Sequence, residues 1–251
     1  MNCDKAICIA NDPKELAQMA ADLFLAEAKD AIRKRSHFTV ALSGGSTPRG
    51  MHELLVKEPW LTRIPWDRTH LFWVDERCVP PQNPASNYGT AKRDFLDRLP
   101  VSRSQIHCMT CGTSPSGDAQ KYQDLLIDFF AAPVGSMPQF DLIFLGMGAD
   151  GHTASLFPGQ PALAEKEKLV TTARGGDPDA DRISMTLPLI NRARHIVFLV
   201  SGLEKSEVLR SVLMDGEIRY PARKIKPMQG KLTWLLDRVA ASLLPEGFPH
   251  V

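Results

Sequence analysis

The stretch "HFTVALSGGSTPRG" (residues 37–50) changes character at its midpoint. "HFTVAL" (37–42) is an apolar run of strand length, and "SGGSTPRG" (43–50) supplies glycines, hydroxyls and a proline where the strand stops. The same shape recurs twice. "DLIFL" (141–145) runs into "GMGADGHTASLFPG" (146–159), and "THLFWV" (69–74) runs into "DERCVPP" (75–81). Three apolar strands that each end in polar chemistry imply one composite site.

Helical patterns separate these strands. "DPKELAQMAADLFLAEAKDAIRKRS" (12–36) places Leu16, Met19, Leu23 and Ala26 at three- and four-residue steps, with Ala20 beside them, which predicts one apolar stripe. Asp12 reads as its N-cap and Pro13 as its first helical residue. "PRGMHELLV" (48–56), residues 87–96, "DAQKYQDLLIDFFAA" (118–132) and "LEKSEVLRSVL" (203–213) read as further helices. "KLVTTA" (168–173), "RISMTL" (182–187) and "HIVFLV" (195–200) read as strands, and "LTWLLDRVAASLL" (232–244) as strand, helix or both. Strands alternating with helices predict an α/β fold, a mostly parallel sheet with helices on both faces. The loop-like "ARGGDPDADR" (173–182) lies between strands and reads as a mobile surface loop within one domain, residues 1–251.

The chain has 251 residues, with 30 Lys+Arg against 29 Asp+Glu and a formal charge of +1. That balance argues against a nucleic-acid partner, which a basic patch or stripe would announce. "IRKRS" and "ARKIK" are local basic clusters that read as solvated faces. The start, "MNCDKAICIA", lacks a signal peptide's basic and apolar regions, and runs such as "IVFLV" are too short to cross a bilayer. A cytoplasmic protein with no membrane partner is the expectation. Of the five cysteines, Cys108 and Cys111 form "CMTC", but no second pair completes a four-ligand zinc set. Reduced thiols are expected.

In an open α/β sheet, ligands sit beyond the carboxyl ends of the strands. Ser43, Asp75, Gly146 and Ser201 all follow strand-like runs, so parallel strands would bring their loops to one edge. Arg182 precedes its strand, and it joins that edge only if the strand is antiparallel or the loop folds over. Gly44 and Gly45 let a ligand approach the backbone, and Ser46 or Thr47 can cap a helix that has Pro48 at its first position. A helix N-terminus suits an anion such as phosphate. A plain strand-to-helix turn is the competing reading, and the Walker ending is absent.

Gly146, Gly148 and Gly151 match G-x-G-x-x-G, but Pro158 soon interrupts any helix and "KLVTTA" ends without an acid, which rejects a dinucleotide site. What the loop delivers is His152, flanked by Asp150 and Thr153. Histidine titrates near neutrality and can take and return a proton. G-x-S-x-G is absent, and no His/Asp/Glu cluster suggests a metal.

"ALSGGSTPRG", "FWVDERCVPPQNPASNYG", "DLIFLGMGADGHTASLFPG", "RISMTLPLINRARHIVFLVSGLEKSEVL" and "YPARKIKPMQGKLTWLLD" occur in this order over nearly the whole chain. Together they resemble the bacterial single-domain 6-phosphogluconolactonases of the glucosamine-6-phosphate isomerase/6-phosphogluconolactonase family. The resemblance implies a single-domain, Rossmann-like three-layer fold. It implies hydrolysis of 6-phosphoglucono-δ-lactone in the oxidative pentose phosphate pathway, with no metal and no organic cofactor. It puts phosphate on Ser43, Gly44, Gly45, Ser46 and Thr47, with Arg182 and Lys205 as cationic partners. It makes His152 the general base, with Asp75 and Arg77 as further catalytic residues on the sugar side and Arg77 or a loop N–H to face the oxyanion, and it sets Asn87 and Gly148 in substrate binding. Lys224, in "YPARKIKP", leaves open whether that basic loop or Arg182 reaches the phosphate.

Two alternatives stand beside this. A glucosamine-6-phosphate deaminase shares the phosphate loop and Asp-Gly-His but tends to carry Asp-Glu-Tyr where this chain has Asp75-Glu76-Arg77. It also has an acid shortly after the histidine, where this chain reads "SLFP". A non-catalytic sugar-phosphate sensor would keep the phosphate loop without needing His152. The partner expected is a small phosphosugar lactone, to a monomer or a homodimer.

Overall fold

A computed structural model describes residues 4–112, 114–131, 137–176, 179–214 and 219–249. Residues 1–3, Ala132, residues 177–178 and His250, all touched on by the sequence reading, lie outside them. The strands are β1 (Asp4–Ala10), β2 (Phe38–Leu42), β3 (Thr69–Trp73), β4 (Asp75–Arg77), β5 (Ile106–His107), β6 (Leu142–Gly146), β7 (Val170–Gly175), β8 (Ala180–Met185), β9 (His195–Val200) and β10 (Lys231–Asp237). The helices are α1 (Pro13–Arg35), α2 (Thr47–Leu55), α3 (Trp60–Arg63), α4 (Asn87–Asp94), α5 (Pro115–Phe130), α6 (Leu187–Ile190) and α7 (Ser206–Leu213).

A seven-stranded sheet runs in the order β1-β10-β9-β6-β2-β3-β5. Every neighbouring pair in it is parallel. All five residues of β2 and all six of β9 are buried, as strands covered on both faces require. Alternation along the strands assigns the faces. Phe38 and Phe144 share one face, where Phe24 of α1 meets their rings at centroid distances of 5.3 and 6.4 Å. Phe72 is on the other face, where Phe129 and Phe130 of α5 meet it at 5.1 and 6.0 Å. The parallel sheet with helices on both faces is therefore as expected. One hydrophobic core extends from Ile7 to Ala241.

The α1 cap is also as expected. The Asp12 carboxylate accepts from the Lys14 and Glu15 amides at 2.8 Å, worth about 1 kcal/mol. Its buried stripe is rotated from the expected one. Leu16 and Ala20 are in it, joined by Ala17, Ala21, Phe24, Leu25, Ala28 and Ala31. Met19 and Leu23 sit at the rim and Ala26 is exposed. The cause is close helix packing, since a Cβ added at Gly50 of α2 would lie 2.9 Å from the Ala17 methyl. Small residues define that contact, and an apolarity count alone undervalues them.

Four further differences matter. "MNCDKAICIA" contributes β1, an edge strand of the main sheet. "DER" is not loop but β4, which joins β8 and β7 in a separate three-stranded antiparallel sheet. Residues 173–182 are mostly the β7–β8 hairpin, in which Arg174 pairs with Asp179 at 2.9 Å. Finally, Cys111 is not paired within "CMTC" and not reduced. It is disulfide-bonded to Cys78, which follows β4, with the two Cα atoms 4.3 Å apart. Cys8 and Cys108 keep free thiols. Residues 231–237 of the last segment are strand, followed by turns. No described helix is long and apolar enough to cross a membrane.

His52 of α2 is 4 % exposed and stacks on Phe95 at 4.2 Å, and neither ring nitrogen has a hydrogen-bond partner among the described residues. Burial pushes its pKa down to about 4, against the pull of Asp94. The unfolded chain takes up this proton below the ordinary value and the folded chain does not. The resulting stability is complete above that value and is lost as pH falls toward 4. Replacing His52 by Phe should remove this loss. Between pH 7 and pH 5 the unfolding free energy of His52→Phe, relative to wild type, should rise by about 2 kcal/mol in urea titrations. An unchanged difference would contradict the buried, neutral ring.

Candidate active site

The order of strands locates a crevice. β2 and β6 are neighbours, but the chain leaves β2 for β3 on one side and leaves β6 for β9 on the other. Ligands of open α/β sheets collect where connections diverge in this way. The Ser43 hydroxyl ties the two strand ends together by donating to the Phe144 carbonyl at 2.9 Å. Residues 43–48 and 146–148 line a cleft there. Helix α2 starts at Thr47, so Pro48 is its second residue, and Ser46 makes no side-chain cap bond. The expected serine cap is thus corrected. With no side-chain cap, the N–H groups at this end are left for a ligand, where the helix dipole favours negative charge.

The small sheet closes the cleft from above. Val74 ends the main-sheet run by donating its N–H to the Leu42 carbonyl at 3.0 Å and accepting the Met185 N–H at 2.7 Å. β4 then pairs with β8 in antiparallel register, Asp75 opposite Ser184 and Arg77 opposite Arg182. This satisfies the condition on Arg182, whose strand is antiparallel. Asp75, Arg77 and Arg182 face the cleft. Glu76 faces away and is buried, which pushes its carboxyl up to about 7 against hydrogen bonds from Tyr88, Asn87, Arg77 and Ser86.

Each cleft side chain is held by named partners. Asp75 is 5 % exposed. Its Oδ1 accepts from Asn87 Nδ2 at 3.2 Å and its Oδ2 from the Ser155 hydroxyl at 2.6 Å. Asn87 also donates to the Asp75 carbonyl at 2.9 Å, and its Oδ1 accepts a short bond from the Arg77 guanidinium. A Cβ on Gly44 would stand 1.8 Å from Asn87 Oδ1, so only glycine lets Asn87 reach this place. Arg182 donates from Nε to the Gly175 carbonyl at 2.8 Å and lies over the Phe157 ring at 5.4 Å. Burial and the nearby Arg77 charge lower its pKa. Neither arginine has a carboxylate within ion-pair distance among the described residues. Among the described residues, the carboxylate within ion-pair distance of Lys205 is the exposed Glu204, at 3.9 Å.

His152 projects from the loop after β6. Its Nδ1 lies 2.5 Å from Asp150 Oδ1, and its ring sits 4.5 Å from Phe157. Gly148 makes room, since a Cβ there would be 2.1 Å from His152 Nδ1. Burial raises the Asp150 pKa, but the hydrogen bonds from His152 outweigh it and the net direction is down. An ionised Asp150 accepting from Nδ1–H leaves the Nε2 lone pair of a neutral ring available as a base.

Ser201, whose hydroxyl donates to Asp237 Oδ2 at 2.5 Å, does not line the cleft, but the residues given site roles from sequence do: Ser43, Gly44, Gly45, Ser46, Thr47, Asp75, Arg77, Asn87, Gly148, His152, Arg182 and Lys205. The basic loop at 221–226 does not. Arg223 turns to the Val212 and Met214 carbonyls, and Ala222 donates its N–H to the Gly151 carbonyl at 3.0 Å, which braces the histidine loop from behind. Sequence reasoning passed over Ser155 and Phe157, which sit inside the quoted "GHTASLFPG" but carry no chemistry by type. It noted Asp150 without giving it a role. No group of three or more His, Cys, Asp or Glu among the described residues is arranged to hold a metal ion.

Residues 11–234 match the model of the family described as glucosamine-6-phosphate isomerases/6-phosphogluconolactonase. The chain is 44 % identical to a 6-phosphogluconolactonase of Synechocystis sp. over 85 % of its own length and 88 % of the relative's. It is 39 % identical to one from Nostoc sp., over 96 % and 98 %. The solved 6-phosphogluconolactonase from Trypanosoma cruzi superposes with a TM-score of 0.85 at 26 % identity, covering 97 % of this chain and 98 % of that one.

Arg182 and Lys205 in a cleft shared with an uncapped helix end should bind a phosphate-class anion. Inorganic phosphate at about 10 mM should raise the Tm of the wild type, and Arg182→Met should abolish most of the rise. No rise in the wild type, or an equal rise in both, would contradict the anion site.

Proposed function

Because the chain belongs to the glucosamine-6-phosphate isomerase/6-phosphogluconolactonase family, we propose that its cleft hydrolyses 6-phospho-D-glucono-1,5-lactone to 6-phospho-D-gluconate, the lactonase step of the oxidative pentose phosphate pathway. We further propose that residues 1–251 act as one lactonase domain. The observation that carries this reading is the make-up of the cleft. The α2 N-terminus and the cations Arg182 and Lys205 line the same cleft as His152, a histidine that Asp150 engages from outside the lining.

The phosphate sits on the Gly44–Thr47 backbone, with Arg182 and Lys205 as counter-charges. This binding energy, remote from the reacting carbon, fixes the lactone carbonyl against a water molecule. His152 Nε2 takes a proton from that water as its oxygen attacks C1. The carbonyl electrons move to oxygen, and Arg77 faces the resulting oxyanion. When the tetrahedral intermediate collapses, the C1–ring oxygen bond breaks and His152 returns the proton to the departing oxygen. The products are a C1 carboxyl group and a hydroxyl group. Asp150 keeps the ring in the required tautomer and steadies the imidazolium that forms between the two steps.

The deaminase alternative requires a carboxylate to shuttle protons between adjacent carbons. Among the described residues the cleft holds one carboxylate, Asp75, and both its oxygens are engaged by Asn87 and Ser155. That favours a hydrolase. It also supports a structural part for Asp75, which ties the Asn87 helix to the His152 loop.

The test is hydrolysis of freshly generated lactone, with the spontaneous rate subtracted and glucosamine 6-phosphate run in parallel. The wild type should accelerate the lactone reaction alone. His152→Ala should lower kcat by about 10²–10⁴-fold and leave the affinity for 6-phosphogluconate within about threefold. Ammonia release from the amino sugar, or full turnover by His152→Ala, would refute the assignment.

A further inference from the structure

Glu76 is a glutamate 2 % exposed, in a strand whose neighbouring residues face the cleft on the other side. Buried carboxylates are costly unless fully hydrogen-bonded. Glu76 meets that demand with four donors. Oε1 accepts from the Arg77 N–H at 2.7 Å and from the Asn87 N–H at 2.7 Å. Oε2 accepts from the Tyr88 N–H at 2.9 Å and from the Ser86 hydroxyl at 2.9 Å. The Ser86 oxygen in turn accepts the Gly89 N–H at 2.9 Å. The first two amides of α4 are thereby satisfied from a strand ten or more residues earlier in the chain, and the third by the Ser86 hydroxyl that the same carboxylate holds.

An ordinary helix cap is local. This one joins two elements that both supply cleft residues. It fixes the backbone of Asn87, whose side chain holds Asp75 and accepts from Arg77. It also fixes the backbone N–H of Arg77 itself. The loop between them is pinned as well, since a Cβ on Gly89 would lie 1.7 Å from the Pro81 carbonyl oxygen. The Arg77 guanidinium is therefore placed twice by one carboxylate, through its own amide and through Asn87 Oδ1.

We propose that Glu76 is a positioning residue of the hydrolytic site: it touches no substrate, and its four hydrogen bonds aim the Arg77 guanidinium, through Asn87, at the oxygen that becomes negatively charged. This rests on the lactonase reading, in which Arg77 faces the oxyanion. A residue that only stabilised the fold would lower the melting temperature and leave the turnover of folded molecules intact. A positioning residue acts on kcat and spares phosphate binding, because the phosphate partners Arg182 and Lys205 lie outside this network.

In Glu76→Gln the side-chain amide turns a donor toward the Tyr88 and Ser86 donors, so the network cannot close. The variant should lose about 10–100-fold in kcat. Its affinity for inorganic phosphate, measured by calorimetry, should stay within about threefold, and its Arg77 Nε–H resonance should shift. Ser86→Ala removes one donor of the four and should lose about 3–10-fold in kcat, which keeps the idea open to refutation if Glu76→Gln does not fold. Wild-type kcat in the folded fraction of either variant, or equal losses in kcat and in inorganic phosphate affinity, would overturn the proposal. Should the wild type itself fail to hydrolyse the lactone, the functional reading falls by that result alone. An unshifted Arg77 resonance in Glu76→Gln would then overturn the positioning role separately.

Discussion

Two backbone hydrogen bonds at Val74 organise the molecule. Its N–H donates to Leu42 in the parallel sheet, and its carbonyl accepts from Met185 beside the antiparallel one. A single fully buried residue thus ends one sheet and starts the other. Without that transfer, "THLFWVDER" would run on as one strand and its charged end would project past the sheet edge. With it, β4 folds back over the crevice between β2 and β6, and the antiparallel pairing that follows brings Arg182 in from a distant part of the chain.

That register has an electrostatic consequence. It sets Arg77 directly across from Arg182, and like charges in opposed positions destabilise a sheet. The burial that lowers the Arg182 pKa adds to the cost. No carboxylate among the described residues lies within ion-pair distance of either arginine, and the charges of Asp75, Glu76 and Asp179 act on Arg182 only from farther away. The fold keeps positive charge in the same cleft as an uncapped helix N-terminus, an arrangement that an anionic ligand stabilises. The histidine loop is built on the other principle. Asp150 is close enough to His152 to fix its tautomer, and Gly148, Phe157 and the 221–224 turn hold the ring in place. In the proposed reaction, binding charge and proton-transfer chemistry therefore come from different loops around one crevice.

Much of this was legible in the chain. Central strands with both faces buried, such as β2 and β9, are continuous apolar runs and were found nearly to the residue. Cleft residues next to them were found because glycine, histidine and arginine carry chemistry by type. What escaped depended on partners far away in sequence. "DER" reads as polar loop until β8 is there to pair with it, and the same pairing turns residues 173–182 from loop into hairpin. The α1 stripe was misplaced because alanines pack against α2 where larger residues were given more weight. The Cys78–Cys111 bridge links residues 33 apart in sequence, where the chain alone suggests reduced thiols. Ser155 and Glu76 act through hydrogen bonds to other side chains and to backbone, and residue type alone does not announce such roles.

The central claim is that one crevice binds phosphate at the α2 end and presents the carbonyl carbon to His152. A crystal structure with 6-phosphogluconate bound tests this most directly. The account predicts phosphate oxygens on the Gly44–Thr47 amides beside Arg182 and Lys205, with the C1 carboxylate between His152 Nε2 and Arg77. A product bound in the reverse sense, with its phosphate at His152, or bound outside this cleft, would contradict it.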